Sequence, residues 1–290
     1  MSTPLKNWIS AARIRTLPAA LAPVLIGCAM AYEANGFHLP SALSALLGAV
    51  FIQIGTNFAN DYFDFINGVD NEHRVGPQRA TQSGNISPQM MKWAFIVSFL
   101  ATIPLVGYLA YRGGWELIAV GILSIASGIL YTGGPIPLGY IGLGDLFVLI
   151  FFGPVAVGGT YYVQTLSLST DVVFIGISSG LISTAILVVN NLRDKTEDQK
   201  VGKNTLAVLL GSRFARFEYT FCLTAAGFLS AYIALTNKPW ASLSLIAILS
   251  AFPTIVSMWK DEGAALDPNL GKTARTLILF SALFSVGWCL

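Results

Sequence analysis

Apolar stretches of about 20 residues recur along the chain between short polar breaks, the length a helix needs to cross a hydrocarbon layer about 30 Å thick. Nine such runs can be drawn, at 17–35, 40–60, 91–111, 115–132, 144–163, 172–192, 214–236, 240–259 and 273–290. The first follows Lys6, Arg13 and Arg15 as the apolar part of a signal peptide would, but it is long enough to span and more runs follow it. It is read as a retained helix. The pattern predicts an all-α, polytopic membrane protein with nine transmembrane helices in one domain, residues 1–290.

Composition strengthens that reading: 54% of the 290 residues are hydrophobic and 11% charged, with a mean hydropathy of +0.65, far from an ordinary soluble domain. Threading the spans with the N-terminus in the cytoplasm leaves only Arg112 and Lys238, of 17 Lys and Arg residues, on the outer side. That asymmetry predicts a protein of the cytoplasmic membrane with its N-terminus inside. The net charge of +2 gives no support for nucleic acid as a partner. Cys28, Cys222 and Cys289 all fall inside apolar runs without metal-ligand spacing, and are read as packing residues.

The internal connections, near 61–90, 133–143, 193–213 and 260–272, are the long ones and hold most of the polar residues, so function is expected on the cytoplasmic side. Two of them open on an echo. The second run ends with Asn57, Asn60, Asp61 and Asp64, and the sixth with Asn190, Asn191, Asp194, Glu197 and Asp198. Residues three and four apart share a helix face, so each cluster aims amide and carboxylate oxygens in one direction. Carboxylates at a helix C-terminus face the negative end of the macrodipole, and near a bilayer they carry a further cost. A cation must compensate. Oxygen ligands without a histidine cluster suit Mg²⁺, which favours a few carboxylates plus substrate phosphate oxygens. Arg74, Arg79, Arg193, Lys200 and Lys203 in the same loops suit the remaining phosphate oxygens, arginine through bidentate contact. His73 is read as a solvated loop residue, and Asp70 and Glu72 as intermediate candidates.

At these residues the chain resembles the UbiA-type intramembrane aromatic prenyltransferases. The first motif of that family, NDxxD with a further aspartate downstream, is matched by Asn60-Asp61-Tyr62-Phe63-Asp64 and, displaced, by Asp70; Gly68 stands where many members have the third aspartate. The second, DxxxD followed by a Lys-x-Gly stretch, is matched by Asp194 through Asp198 and by Lys200-Val201-Gly202-Lys203-Asn204-Thr205. Arg15-Thr16 and the stretch from Arg79 through Gly84-Asn85-Ile86-Ser87 extend the similarity over most of the chain. The loop Thr132 to Asp145 lacks the lysine found there in the 4-hydroxybenzoate branch, and is similar to the 1,4-dihydroxy-2-naphthoate polyprenyltransferases of menaquinone synthesis.

The resemblance implies helices around a central cavity with cytoplasmic capping loops. It implies Mg²⁺ held by Asp61, Asp64, Asp194 and Asp198, with Asp70 in the place of the missing aspartate. A polyprenyl diphosphate would be the donor and 1,4-dihydroxy-2-naphthoate the acceptor, prenylated with loss of carbon dioxide to a demethylmenaquinone-type product. Asn57, Asn60, Asn190 and Asn191 are expected to orient ligands, and Arg79, Arg193, Lys200 and Lys203 to meet diphosphate. Tyr131 and Tyr140 are expected either to orient or stack on the acceptor or to anchor at the interface; Arg13 or Arg15 is expected either to hold the acceptor carboxylate or to serve the positive-inside pattern. Membrane lipid surrounds the whole. Prenylation or phytylation of another aromatic acceptor, such as 4-hydroxybenzoate or homogentisate, is the alternative. From other classes, an ion-coupled secondary transporter is disfavoured because the carboxylates lie at helix ends rather than mid-span, and a CDP-alcohol phosphotransferase because its DGxxAR signature is absent.

Overall fold

The computed structural model of the chain describes residues 4–69, 76 and 78–290, and a helix or a broken pair of helices lies over each of the apolar runs. Helices α1 (Pro4–Ala11) and α2 (Pro18–Glu33) form one unit bent by 53°. Arg13, at φ 49°, turns the chain there, and Pro18 opens α2 in the position where its missing N–H costs nothing. Next come α3 (Leu39–Ile66), the broken pair α4 (Pro88–Leu100) and α5 (Ile103–Gly113), and α6 (Glu116–Leu130). Ser87 caps α4 by accepting the Met90 N–H.

The run at 144–163 is α7 (Gly144–Ile150) and α8 (Ala156–Thr165), joined through a wider turn at Phe151–Val155 where Pro154 removes a donor. A β-carbon on Gly153 would come within 2.7 Å of the Gly176 carbonyl oxygen, and one on Gly180 would meet the Leu149 carbonyl. Small residues thus let the break press directly on α9 (Thr170–Lys200), the packing mode of helices in lipid. The chain ends with α10 (Leu206–Leu210), α11 (Ser212–Thr236), α12 (Leu245–Ser250), α13 (Phe252–Lys260) and α14 (Asp267–Cys289).

Among the described residues, six helices or helix pairs are long and apolar enough to cross a membrane, and seven if the bent α1–α2 pair is one span; α6 is apolar but shorter. The interior is lopsided. Helices α9, α11 and α14 pack with α2 and α8 into a continuous apolar core that includes Ile182, Val189, Leu223, Phe280 and Phe284. Helices α3 and α4 share a smaller aromatic core around Phe58, Phe95 and Phe99. An apolar cavity of about 220 Å³ lies beside that smaller core, walled by α2, α3, α5, α6 and the α7–α8 unit.

Candidate active site

Both acidic helices are longer than a hydrocarbon layer requires. At 1.5 Å per residue, about 30 Å from Leu39 is used up near residue 59 of α3, and from Thr170 near residue 190 of α9. The polar clusters begin there. Each helix then stops in the same way, with a left-handed glycine just past its end: Gly68 at φ 69° and Gly202 at φ 73°. The following amides close the cap, Val69 N–H on the Asp64 carbonyl at 2.9 Å and Lys203 N–H on the Asp198 carbonyl at 2.8 Å. Gly68 therefore has a backbone reason to stand where an aspartate was looked for. The caps also set a register between the helices, in which Asp64 matches Asp198, Asn60 matches Asp194, and Asn57 matches Asn191. Asp61 has no acidic counterpart, since its match is Lys195.

The Asp64 carboxylate is buried between Arg79 and Tyr140, accepting from Arg79 Nη2 at 3.0 Å and from Tyr140 Oη at 2.8 Å. Asp61 is more enclosed still and does something different, its two oxygens accepting the backbone N–H groups of Ala80 and Thr81 at 3.2 and 3.1 Å. It fixes the segment that carries Arg79. Asn60 accepts from Thr132 Oγ1 at 2.9 Å and so holds the loop after α6. Asn57 donates to the Ala12 carbonyl at 2.9 Å and to Thr16 Oγ1 at 3.1 Å, tying α3 to the bend between α1 and α2.

On α9, Asp194 lies under a bidentate Arg193, with Nε and Nη2 each 2.8 Å from a carboxylate oxygen. The same guanidinium reaches Asn190 Oδ1 at 2.8 Å and Asp267 Oδ1 at 2.7 Å. Asp198 is met by Lys203 Nζ at 3.3 Å, and that ammonium also lies 6.0 Å over the Tyr140 ring. Tyr140 thus joins the two clusters, its hydroxyl on Asp64 and its carbonyl accepting the Asn204 N–H at 3.0 Å. Asn191 is buried on the same stretch of α9.

Two expected contacts fall elsewhere. Lys200 is 62% exposed and pairs with Glu197 at 2.7 Å, on the solvent side of α9. Arg15 is 73% exposed and lies 3.7 Å from Asp267. Arg13, half-buried, is the N-terminal arginine whose charge acts on Tyr131. Asp70, like Glu72, His73 and Arg74, lies outside the described residues. Three contributors were not picked out from the sequence: Asp267, Asp145 and the Ala80–Thr81 backbone.

Tyr131 stands at the end of α6 and lines the apolar cavity with Phe147, Phe151 and Thr56. The charges of Asp145, Asp198, Asp64 and Arg13 all act on it. Asp145, buried at the start of α7, has an oxygen, Oδ1, without a hydrogen-bond partner among the described residues.

The donor set suits a hard divalent cation, being entirely oxygen and drawn from carboxylates and amides. Among the described residues no three His, Cys, Asp or Glu side chains converge into a ready cage. An arrangement in which phosphate oxygens complete the coordination accommodates both facts.

Residues 20–285 match the model of the UbiA prenyltransferase family. The 1,4-dihydroxy-2-naphthoate octaprenyltransferase of Haemophilus influenzae is 41% identical over 98% of this chain and 96% of its own length. The protein of the same name from Mycobacterium tuberculosis is 43% identical over 95% of this chain and 94% of its own. Among solved structures, the UbiA homolog from Aeropyrum pernix K1 matches with a TM-score of 0.73 at 16% identity, covering 94% of this chain and 98% of that one. The UbiA homolog from Archaeoglobus fulgidus bound to DMAPP and Mg²⁺ matches with a TM-score of 0.66 at 16% identity, over 97% of this chain and 99% of that one.

Proposed function

Since the chain belongs to the UbiA prenyltransferase family and is an integral membrane protein, we propose that it transfers a polyprenyl group from an allylic polyprenyl diphosphate to 1,4-dihydroxy-2-naphthoate, releasing diphosphate and carbon dioxide and leaving the demethylmenaquinone skeleton at the hydroquinone level. The observation that carries this reading is the meeting of two buried carboxylate clusters through Tyr140, on a loop that Gly139 ties to the carbonyl of Tyr131, a residue lining the apolar cavity. One end of that arrangement suits a metal-bound diphosphate and the other an isoprenoid tail. The near full-length relatives named for the naphthoate reaction support the choice of acceptor.

Asp64, Asp194 and Asp198 would hold Mg²⁺, with Asp61 on the same face of α3. When bound, Mg²⁺ neutralises the diphosphate and makes it a better leaving group. Arg79 and Lys203, paired with Asp64 and Asp198, would offer positive charge to the same oxygens. The tail lies in the cavity, where each buried CH₂ contributes about 0.8 kcal/mol. As the donor C–O bond breaks, the electron-rich ring attacks the allylic carbon. Tyr131, which lines the cavity, would orient a ring hydroxyl or stack on the ring, and Arg13, whose charge acts on Tyr131, would meet the acceptor carboxylate. Oxygens held by Arg79, Arg193 and Tyr140 are fixed before the donor arrives, so little reorganisation accompanies charge separation.

The complete topology in this reading has nine crossings around the cavity, with the N-terminus and the loops that cap the site on the cytoplasmic side. The Lys and Arg asymmetry supports that orientation. The positions of the acidic clusters past the hydrocarbon length support a site at the membrane surface. The test is a membrane assay offering 1,4-dihydroxy-2-naphthoate, 4-hydroxybenzoate and homogentisate together with one polyprenyl diphosphate and Mg²⁺. The naphthoate product should dominate. Preferential prenylation of 4-hydroxybenzoate would overturn the choice of acceptor, and movement of solute without diphosphate release would overturn the enzyme.

A further inference from the structure

We propose that Asp267, the first residue of α14, is a positioning residue that sets the orientation of Asp194 through Arg193; this rests on the reading that Asp194 helps hold a metal-bound diphosphate. Successive residues on a helix point about 100° apart and do not face one another. Arg193 nevertheless lies bidentate on its own neighbour, at 2.8 Å to each Asp194 oxygen. The guanidinium must be held folded back. Asn190 Oδ1 takes Nη2 at 2.8 Å from the same helix, while Asp267 Oδ1 takes Nη1 at 2.7 Å from a different element, and Asp267 is the charged one of the two.

Asp267 is well placed to be a fixed anion. It sits in the first turn of α14, where the helix dipole favours a carboxylate. Arg15 on its other oxygen, at 3.7 Å and 73% exposed, is a weak surface contact that leaves Arg193 as its main partner. Gly76 closes another side of the guanidinium, since a β-carbon there would lie 2.7 Å from Nη2. Arg193, with a side chain 2% exposed, is thus clamped between Asp267, Asn190 and Gly76, and its remaining edge can only face Asp194. It occupies one lone pair on each Asp194 oxygen and leaves the other for a cation. Without Asp267 a buried guanidinium keeps a single charged partner and its Nη1 end is released, so Asp194 no longer presents one fixed edge. Outer-shell losses of this kind cost roughly 10- to 100-fold in metal affinity.

The experiment is Mn²⁺ binding to the purified full chain in detergent with inorganic diphosphate, followed by electron paramagnetic resonance against a protein-free blank, with thermal unfolding alongside. Asp267→Asn should weaken Mn²⁺ binding about tenfold while unfolding at the wild-type temperature, and Asp267→Glu should recover most of the loss. Prenyl transfer by Asp267→Asn should need more metal yet approach the wild-type kcat at saturation. Unchanged Mn²⁺ binding in folded Asp267→Asn, or failure of folded Asp267→Glu to recover, overturns the proposal. Should Asp267→Asn not fold, Arg193→Lys replaces it, since an ammonium cannot hold both Asp194 oxygens and Asp267 together. Wild-type Mn²⁺ binding in that variant is equally contrary. A wild-type chain that binds no Mn²⁺ with diphosphate would overturn the metal-diphosphate reading along with this one, whereas silence of Asp267→Asn alone removes only the role of Asp267.

Discussion

At the end of α3, Asp61 and Asp64 are met by partners that two loops bring to them: the Arg79 side chain and the Ala80–Thr81 amides from one, Tyr140 from the other. At the end of α9, Asp194 and Asp198 are met by Arg193 and Lys203 of their own chain segment, and then by Asp267 from α14. The helices differ in the same sense. Within its apolar window α9 is 78% buried and α3 only 28%, because α9 runs through the large core while α3 walls the cavity. Two helix ends with the same glycine cap and nearly the same acidic spacing are therefore stabilised by different means. The α9 cluster takes its partners from helices and from its own C-terminal turn; the α3 cluster depends on the loops that carry Arg79 and Tyr140.

The most severe change should come from the residues the two caps bring into register. Asp64→Asn and Asp198→Asn should each lower naphthoate prenylation on the order of 10²-fold or more, the usual scale for removing a charge-stabilising group, as measured by product formation in membranes. Near equality of the two would support the register; a large activity in either would break it. Asp61→Asn comes next and should separate the clusters. It keeps one acceptor for two backbone donors, so we expect about tenfold lower activity together with a lower unfolding temperature, a loss of about 1–3 kcal/mol for the unpaired amide. Unfolding at the wild-type temperature would show that the loop does not depend on Asp61. Tyr140→Phe removes one hydrogen bond from a carboxylate that keeps Arg79 and should cost about 0.5–1 kcal/mol of transition-state stabilisation, roughly two- to fivefold in kcat/KM. Smallest of all, Lys200→Ala should stay within about twofold of wild type, because an exposed pair with Glu197 contributes little, whereas Lys203→Ala should be clearly impaired in the same assay.

The all-helical, membrane-spanning character and the carboxylates of the candidate site were legible because they rest on features that survive without coordinates. Apolar length marks the spans, and carboxylates where lipid should exclude them mark the site. The pairings were not legible, since they depend on contacts far apart in the chain. Arg193 looks like any basic residue beside an aspartate, and its role is set by Asp267, 74 positions away. Lys200 and Lys203 read alike in the sequence, but α9 ends between them, and the turn at Gly202 sends one outward and brings the other back onto Asp198. Arg13 and Arg15 divide in the same way at the bend before α2. Asp61, read from the NDxxD match as a metal ligand, has backbone partners on both oxygens, a role for which side-chain spacing holds no sign.

Both carboxylate clusters must act on a single metal-bound diphosphate if the two helix ends form one site. That requirement is tested by measuring binding of a non-hydrolysable polyprenyl diphosphate analogue to the purified protein as Mg²⁺ is titrated, for the wild type, Asp64→Asn and Asp198→Asn. We expect Mg²⁺-dependent binding in the wild type, abolished by EDTA, and the same large weakening in either variant. Binding that is independent of Mg²⁺, or that is lost from one variant and kept in the other, would show that the two clusters do not share one diphosphate.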